Sequence, residues 1–223
     1  QQTDAGPVGA WPEVAPDGTT ISVEGLDPYW QMAELDSVQG DEVPGFKGTC
    51  GLTSVANVAQ MFGVELTEGQ VVEFAAANGL CVTDSPKPGG NGGTLEPDQV
   101  ALLEAAGIPA HAESGRGLDD LASYIDDNKG VIVELNAGVV WDDPSAYDGG
   151  KANHAVTLTG VARDESGNIA GFFICDSGSR EGRDFVPADE MREGWENAGG
   201  SCVVTDNPRS QGYPPGQGGP QFA

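Results

Sequence analysis

The sequence predicts an α+β fold in which helices come first and an antiparallel sheet follows. Three observations predict it. Four stretches between residues 49 and 128 repeat their apolar residues at helical spacing, from residue 131 the period shortens to that of strands, and a run of turn residues at 163–168 joins two of those strands.

The first helix is expected from Thr49, because Leu52, Val55, Ala56, Ala59 and Phe62 fall at i, i+3, i+4, i+7 and i+10 before Gly63. A second runs from Thr67, where Thr67 and Gln70 form a capping box, to Gly79. A third follows Glu96-Pro97 and stops at Gly107, with Val100, Leu103 and Ala106 inward; proline is tolerated in a first turn. The fourth, over 118–128, gathers Leu118, Leu121, Ala122 and Ile125 on one face. Residues 131–135 and His154–Ala162 then read as strands, and Arg163–Asn168 turns the second back into Ile169–Asp176 as a hairpin. A short helix after Pro187 and a strand at Cys202–Val204 complete the set.

Residues 1–47 show no sustained period and contain five prolines, with Thr20–Val23 the only strand candidate. They are expected to form an irregular N-terminal strap of the same domain. Residues 48–205 form the main body, and 206–223, rich in proline and glycine, a C-terminal tail lying against it.

Ten Lys+Arg against 35 Asp+Glu give a net charge of −25, which repels nucleic acid and anionic membrane surfaces. A 38% hydrophobic content is enough for a core, and no apolar run reaches the ~20 residues needed to span a bilayer. The chain opens with Gln1 and shows no signal-peptide core, so it reads as the mature form of a secreted protein, expected to be a monomer. No metal or other cofactor is expected, since neither a C-x-x-C pair nor H-E-x-x-H occurs. Gly89–Gly93 lacks the ending of a phosphate loop and reads as flexible. Asp126-Asp127 and Asp142-Asp143 read as solvated faces.

Cys50 stands where the first helix begins. Free N–H groups and the helix dipole there favour an anion, and the thiolate is the nucleophilic form of cysteine; Gly51 is expected to leave room for a substrate backbone. Taken alone, Cys50 is equally a structural cysteine. His154 begins a strand after the 149–153 loop, so its ring is expected near solvent at the sheet edge, whereas His111 falls in a linker. A hairpin from His154 to Asp176 returns its ends to one edge, where Asp176 can hold one imidazole nitrogen while the other faces sulfur. Trp141 and Asn153 are candidate cleft-wall residues, Trp141 equally a core aromatic.

Gly48–Ala59 (GTCGLTSVANVA) resembles the nucleophile helix of papain-like cysteine peptidases, in particular the bacteriocin-processing, double-glycine branch. Gly130–Val133, Asn153-His154-Ala155-Val156 and Ile174-Cys175-Asp176-Ser177 match the same pattern in the same order, so the resemblance covers residues 48–178. It implies a papain-like fold, with Cys50 as nucleophile, His154 as base and then acid, and Asp176 as the orienting acid. The family places a glutamine about six residues before the cysteine to donate to the oxyanion. Here position 44 is proline, and Gln39 fills that role only if Val43–Phe46 bulges outward; the Cys50 backbone N–H is a second donor.

The expected function is hydrolysis of amide bonds in peptides or proteins through a thioester. Side-chain deamidation of Asn or Gln in proteins uses the same chemistry with ammonia leaving, and a catalytically inactive binding module on the same fold is the non-enzymatic alternative. Of the remaining thiols, Cys175 is expected buried in its strand. Cys81 and Cys202, each beside a loop, are expected to form a disulfide.

Overall fold

A computed structural model describes residues 8–14, 17–26, 35, 38–179 and 184–209. Its centre is an antiparallel sheet of eight strands: β1 (Val8–Val14), β2 (Thr20–Leu26), β3 (Ala110–Glu113), β4 (Val131–Leu135), β5 (His154–Arg163), β6 (Ile169–Cys175), β7 (Asp184–Pro187) and β8 (Ser201–Thr205). The spatial order is β1-β2-β5-β4-β8-β3, with β6 on the other edge of β5 and β7 beyond β6. Strand β5 is therefore the hub. Its first half pairs with β4, its last residues with β2, and the stretch from Thr157 to Arg163 with β6.

Alternation along the strands sends side chains to two cores. Ile132, Ala155 and Val203 face α1 (Cys50–Met61), α2 (Glu68–Asn78) and α3 (Glu96–Ala105). Val131, Val133, Val156 and Cys202 face α4 (Leu118–Asp126) together with Met191 and Trp195. Two further short helices, α5 (Ala137–Val140) and α6 (Ala188–Met191), lie at the ends of β4 and β7. The Thr67–Gln70 capping box opens α2, and Leu118, Leu121, Ala122 and Ile125 are buried, as their spacing predicts.

Residues 1–47 are not wholly irregular. β1 and β2 form a hairpin that joins the sheet through β5, and the strand foreseen at Thr20–Val23 is the first part of β2. β1 escapes a pattern search because Gly9 and Pro12 interrupt it; proline is tolerated there because β1 is an edge strand. His111 stands in β3 rather than in a linker, and β7 is a further strand; both span only four residues, too short for a period to show. The 210–223 part of the expected tail lies outside the described residues.

The expected Cys81–Cys202 disulfide is absent, and neither cysteine is in any disulfide. Alternation explains the correction: Cys202 points into the α4 side of the sheet, whereas Cys81 packs against the α1 side. Nearness to a loop cannot bring together thiols on opposite faces of a sheet. Cys175 is buried as expected; its thiol donates to the Leu35 carbonyl at 2.9 Å. Burial, reinforced by Glu113, pushes Cys202 up to about 12. Alkylating the protein after denaturation without reductant is therefore expected to label four cysteines. Under native conditions Cys202 should be protected, and a mass deficit of two hydrogens in the unreduced chain would contradict the assignment.

Candidate active site

Helix α1 crosses the sheet so that Ser54, one turn after Cys50, has its hydroxyl 3.4 Å from the carbonyl of Ala155. Thr157 Oγ1 in turn donates to the Ser54 carbonyl at 3.4 Å. This register brings Cys50, the first residue of α1, and His154, the first residue of β5, to the wall of one pocket, where the sulfur acts electrostatically on the imidazole.

His154 Nε2 lies 2.6 Å from Asp176 Oδ1. In the β5–β6 pairing Thr157 stands opposite Cys175, so Asp176 emerges at the same end of the hairpin as His154. Its other oxygen, Oδ2, accepts from Trp141 Nε1 at 2.7 Å, and the Gly178 N–H donates to Oδ1 at 2.8 Å. The Trp141 ring leans on the imidazole at 4.9 Å between centroids and 59° between planes.

The expectation of a solvent-facing His154 is corrected, for only 4% of it is exposed, with Trp141 as its cover. Burial opposes a charge on the ring, but the hydrogen bonds and charges of Asp176 and Cys50 outweigh it and raise His154 above the ordinary imidazole range. Burial also opposes the Asp176 charge. His154, the Trp141 indole and the Gly178 N–H prevail and hold its carboxyl below the usual range.

Thr49 precedes α1 but does not cap it. Its hydroxyl is drawn away to Glu68 Oε1 and accepts from the Gly40 N–H at 2.9 Å. With no acidic residue in the first turn either, the positive end of the α1 dipole is left for whatever negative charge develops at Cys50.

Glu68 itself is buried and also accepts from the backbone of Gly40 and Glu42, which fastens the 39–47 loop to the start of α1. That loop turns at Val43–Phe46 and returns beside its own beginning, where Gln39 Nε2 reaches the Lys47 carbonyl at 3.3 Å. The Gln39 N–H donates to the Ser177 carbonyl at 3.0 Å, and its Oε1 accepts from Ser177 Oγ at 3.2 Å. Gln39 is thus held on the wall of the pocket that Cys50 and His154 share.

That pocket encloses about 420 Å³, within the range of ligand sites. Trp141 and Asn153 also line it. The Asn153 amide is committed to the loop, with Oδ1 accepting from the Ala137 N–H at 2.9 Å and Nδ2 donating to the Ala146 carbonyl at 2.7 Å. The glycine-rich segment is a wall rather than a flexible loop, because the carbonyls of Gly89 and Asn91 accept from Lys47 and Gly48. Gly92 has φ +100°, and a Cβ there would come 2.6 Å from Thr49.

Gly51 has a different reason from the one expected. A Cβ on it would come 2.1 Å from Thr94 Oγ1 and 2.9 Å from Gln99 Nε2, so its missing side chain is filled by protein. The second histidine, His111, is engaged elsewhere, with Asp206 at 2.6 Å and Glu113 at 2.9 Å. Periodicity gave no sign of Glu68, Gln99 or the Trp141–Asp176 bond. The only trace of Glu68 was its place in the first turn after Thr67.

With this geometry in place, comparison with known proteins decides the family. The model of the Peptidase_C39 like family matches residues 24–203, most of the chain. The chain belongs to that family. Uncharacterized proteins of Mycobacterium tuberculosis and Mycobacterium bovis are 28% identical to it over 201 residues, covering 79% of this chain and 80% of theirs. A crystal structure from Bacillus anthracis, provisionally designated a C39-like peptidase, superposes with a TM-score of 0.55 at 16% identity. The match covers 80% of this chain and 98% of that one. This C39-like member has the α+β, papain-like fold expected from its sequence.

Because Glu68 satisfies donors from Gly40, Glu42 and Thr49, Glu68→Ala is expected to cost about 2–4 kcal/mol of unfolding free energy, measured by urea denaturation. A loss under about 0.5 kcal/mol, the usual size for a surface change, would contradict the anchoring role.

Proposed function

We propose that the protein is a cysteine hydrolase of amide bonds in peptides or proteins, with Cys50, His154 and Asp176 as its catalytic triad. The observation that carries this reading is the 2.6 Å contact of His154 with Asp176 at the wall of a pocket that Cys50, at the start of α1, shares with His154. A module kept only for binding has no need of a buried carboxylate and an indole arranged behind a histidine. Membership of the Peptidase_C39 like family supports the reading.

In the proposed reaction the Cys50 thiolate attacks the amide carbon and pushes its electron pair onto the carbonyl oxygen. The Cys50 N–H and Gln39 Nε2 donate to that oxyanion, Gln39 giving up its contact with the Lys47 carbonyl to do so. The His154 imidazolium then gives its proton to the leaving nitrogen as the C–N bond breaks. A thioester remains on Cys50. His154, now neutral, takes a proton from water as the water oxygen attacks the thioester carbon, and Cys50 leaves as thiolate. Asp176 keeps the ring oriented and favours its charged form throughout. The leaving nitrogen belongs to a main-chain amine in peptide cleavage and to ammonia in side-chain deamidation.

Incubating an unfolded casein-like protein with the enzyme, and measuring fragment masses and ammonia together, tests the reading. Fragments are expected, and Cys50→Ala should abolish them while the fold is retained. Ammonia without fragments would assign the deamidase reaction, and neither product would overturn the hydrolase. The raised His154 value places its loss of charge, and so the alkaline limb of activity, above the ordinary imidazole range. Asp176→Asn removes the negative charge that supports the imidazolium, so that limb is expected to move to lower pH while some turnover remains. A pH–rate profile with an unmoved limb would contradict the role of Asp176.

A further inference from the structure

The pocket contains an acidic side chain to which the reaction above gives no task. Glu134 lies on β4 opposite Ala155, one residue before the Leu135–His154 pair, and shares with Ile132 the face of the sheet turned to α1. Its Oε1 accepts from Gln99 Nε2 at 2.6 Å, and Gln99, fully buried, also reaches Thr94 Oγ1 at 3.2 Å. The carboxylate therefore rests on a fixed support behind the Gly93–Thr94 wall. Its second oxygen has no protein partner among the described residues and is not sealed from the pocket.

No lysine or arginine among the described residues pairs with it, and Glu96 adds a further negative charge close by. His154, a positive group near it among the described residues, is already held by Asp176. Burial accordingly pushes Glu134 up to about 7, against the opposing effects of Gln99 and His154. A carboxylate withdrawn from water without a cation is costly, and an incoming cation relieves that cost.

Direction along the cleft follows from the reaction. His154 protonates the leaving nitrogen, so the leaving group passes the imidazole that Trp141 covers, while Gly93, Thr94 and Glu134 line the same pocket and are left to receive the acyl part. We infer that Glu134 is a specificity residue, selecting a lysine or arginine side chain on the acyl side of the bond attacked. The inference rests on Cys50 being the nucleophile proposed above. A chain of net charge −25 attracts any cationic substrate at long range, but only a fixed carboxylate in the pocket that holds Cys50 ties the preference to one residue.

Dipeptidyl vinyl sulfones test this without requiring cleavage of a peptide bond. Lysine, or norleucine as its uncharged counterpart, is placed at either position before the reactive group. The rate of adduct formation on the Cys50 peptide is read by mass spectrometry at 0.15 M salt, where long-range attraction is screened. At one position the lysine probe is expected to label Cys50 about tenfold faster than norleucine, the effect of one charge-assisted hydrogen bond. In Glu134→Gln the ratio should fall close to one. A ratio near one in the wild type, a lysine preference that survives Glu134→Gln, or labelling by iodoacetamide but by neither probe would overturn the role of Glu134. If iodoacetamide also fails to label Cys50 in the folded protein, the nucleophile assignment fails and takes this inference with it.

Discussion

Helix α1 is enclosed on almost every side, and that enclosure fixes where a cysteine at its first residue can stand. Apolar residues along it fill the core between the sheet and helices α2 and α3. Its buried polar residues are satisfied without water: Thr53 and Ser54 donate to carbonyls one turn back, and Asn57 Nδ2 reaches Cys175 Sγ at 3.5 Å. A helix buried this way cannot rotate or slide without breaking packing on several faces at once. Cys50 is thus as fixed as the core beneath it, and the start of β5 brings His154 to it.

The pocket is assembled from segments far apart in the chain, each tied to that helix start or to the hairpin of β5 and β6. Glu68 fastens the 39–47 loop to Thr49, and Gln39 spans from that loop to Ser177, next to Asp176. The buried Asn136 amide donates to the carbonyls of Tyr147 and Lys151 at 2.7 and 2.6 Å, gathering the loop that carries Trp141. Most of these ties join a side chain to backbone, so they fix loop position while leaving few groups free to compete with a substrate.

Much of this was legible in the sequence, and for a physical reason. Cys50, His154 and Asp176 sit at the ends of regular elements, and a helix period or an alternating strand locates its own ends. The fold class followed from the same periods. What escaped depends on contacts that no local period records. Trp141 bonds Asp176 across 35 residues, and Glu134 meets Gln99 across another 35. The glycine-rich segment read as flexible because composition does not reveal that Lys47 and Gly48 would take its carbonyls. Loop proximity likewise does not reveal that Cys202 faces the α4 side of the sheet while Cys81 packs on the α1 side, so the expected disulfide does not form.

The proposed mechanism requires a thioester at Cys50, formed with the help of His154. Acid-quenching the enzyme within the first turnovers of a peptide substrate, then weighing the peptide that contains Cys50, measures that species directly. An added mass equal to the acyl half of the substrate is expected on that peptide alone, absent from His154→Ala. Turnover without such an adduct, or an adduct on another residue, would contradict it.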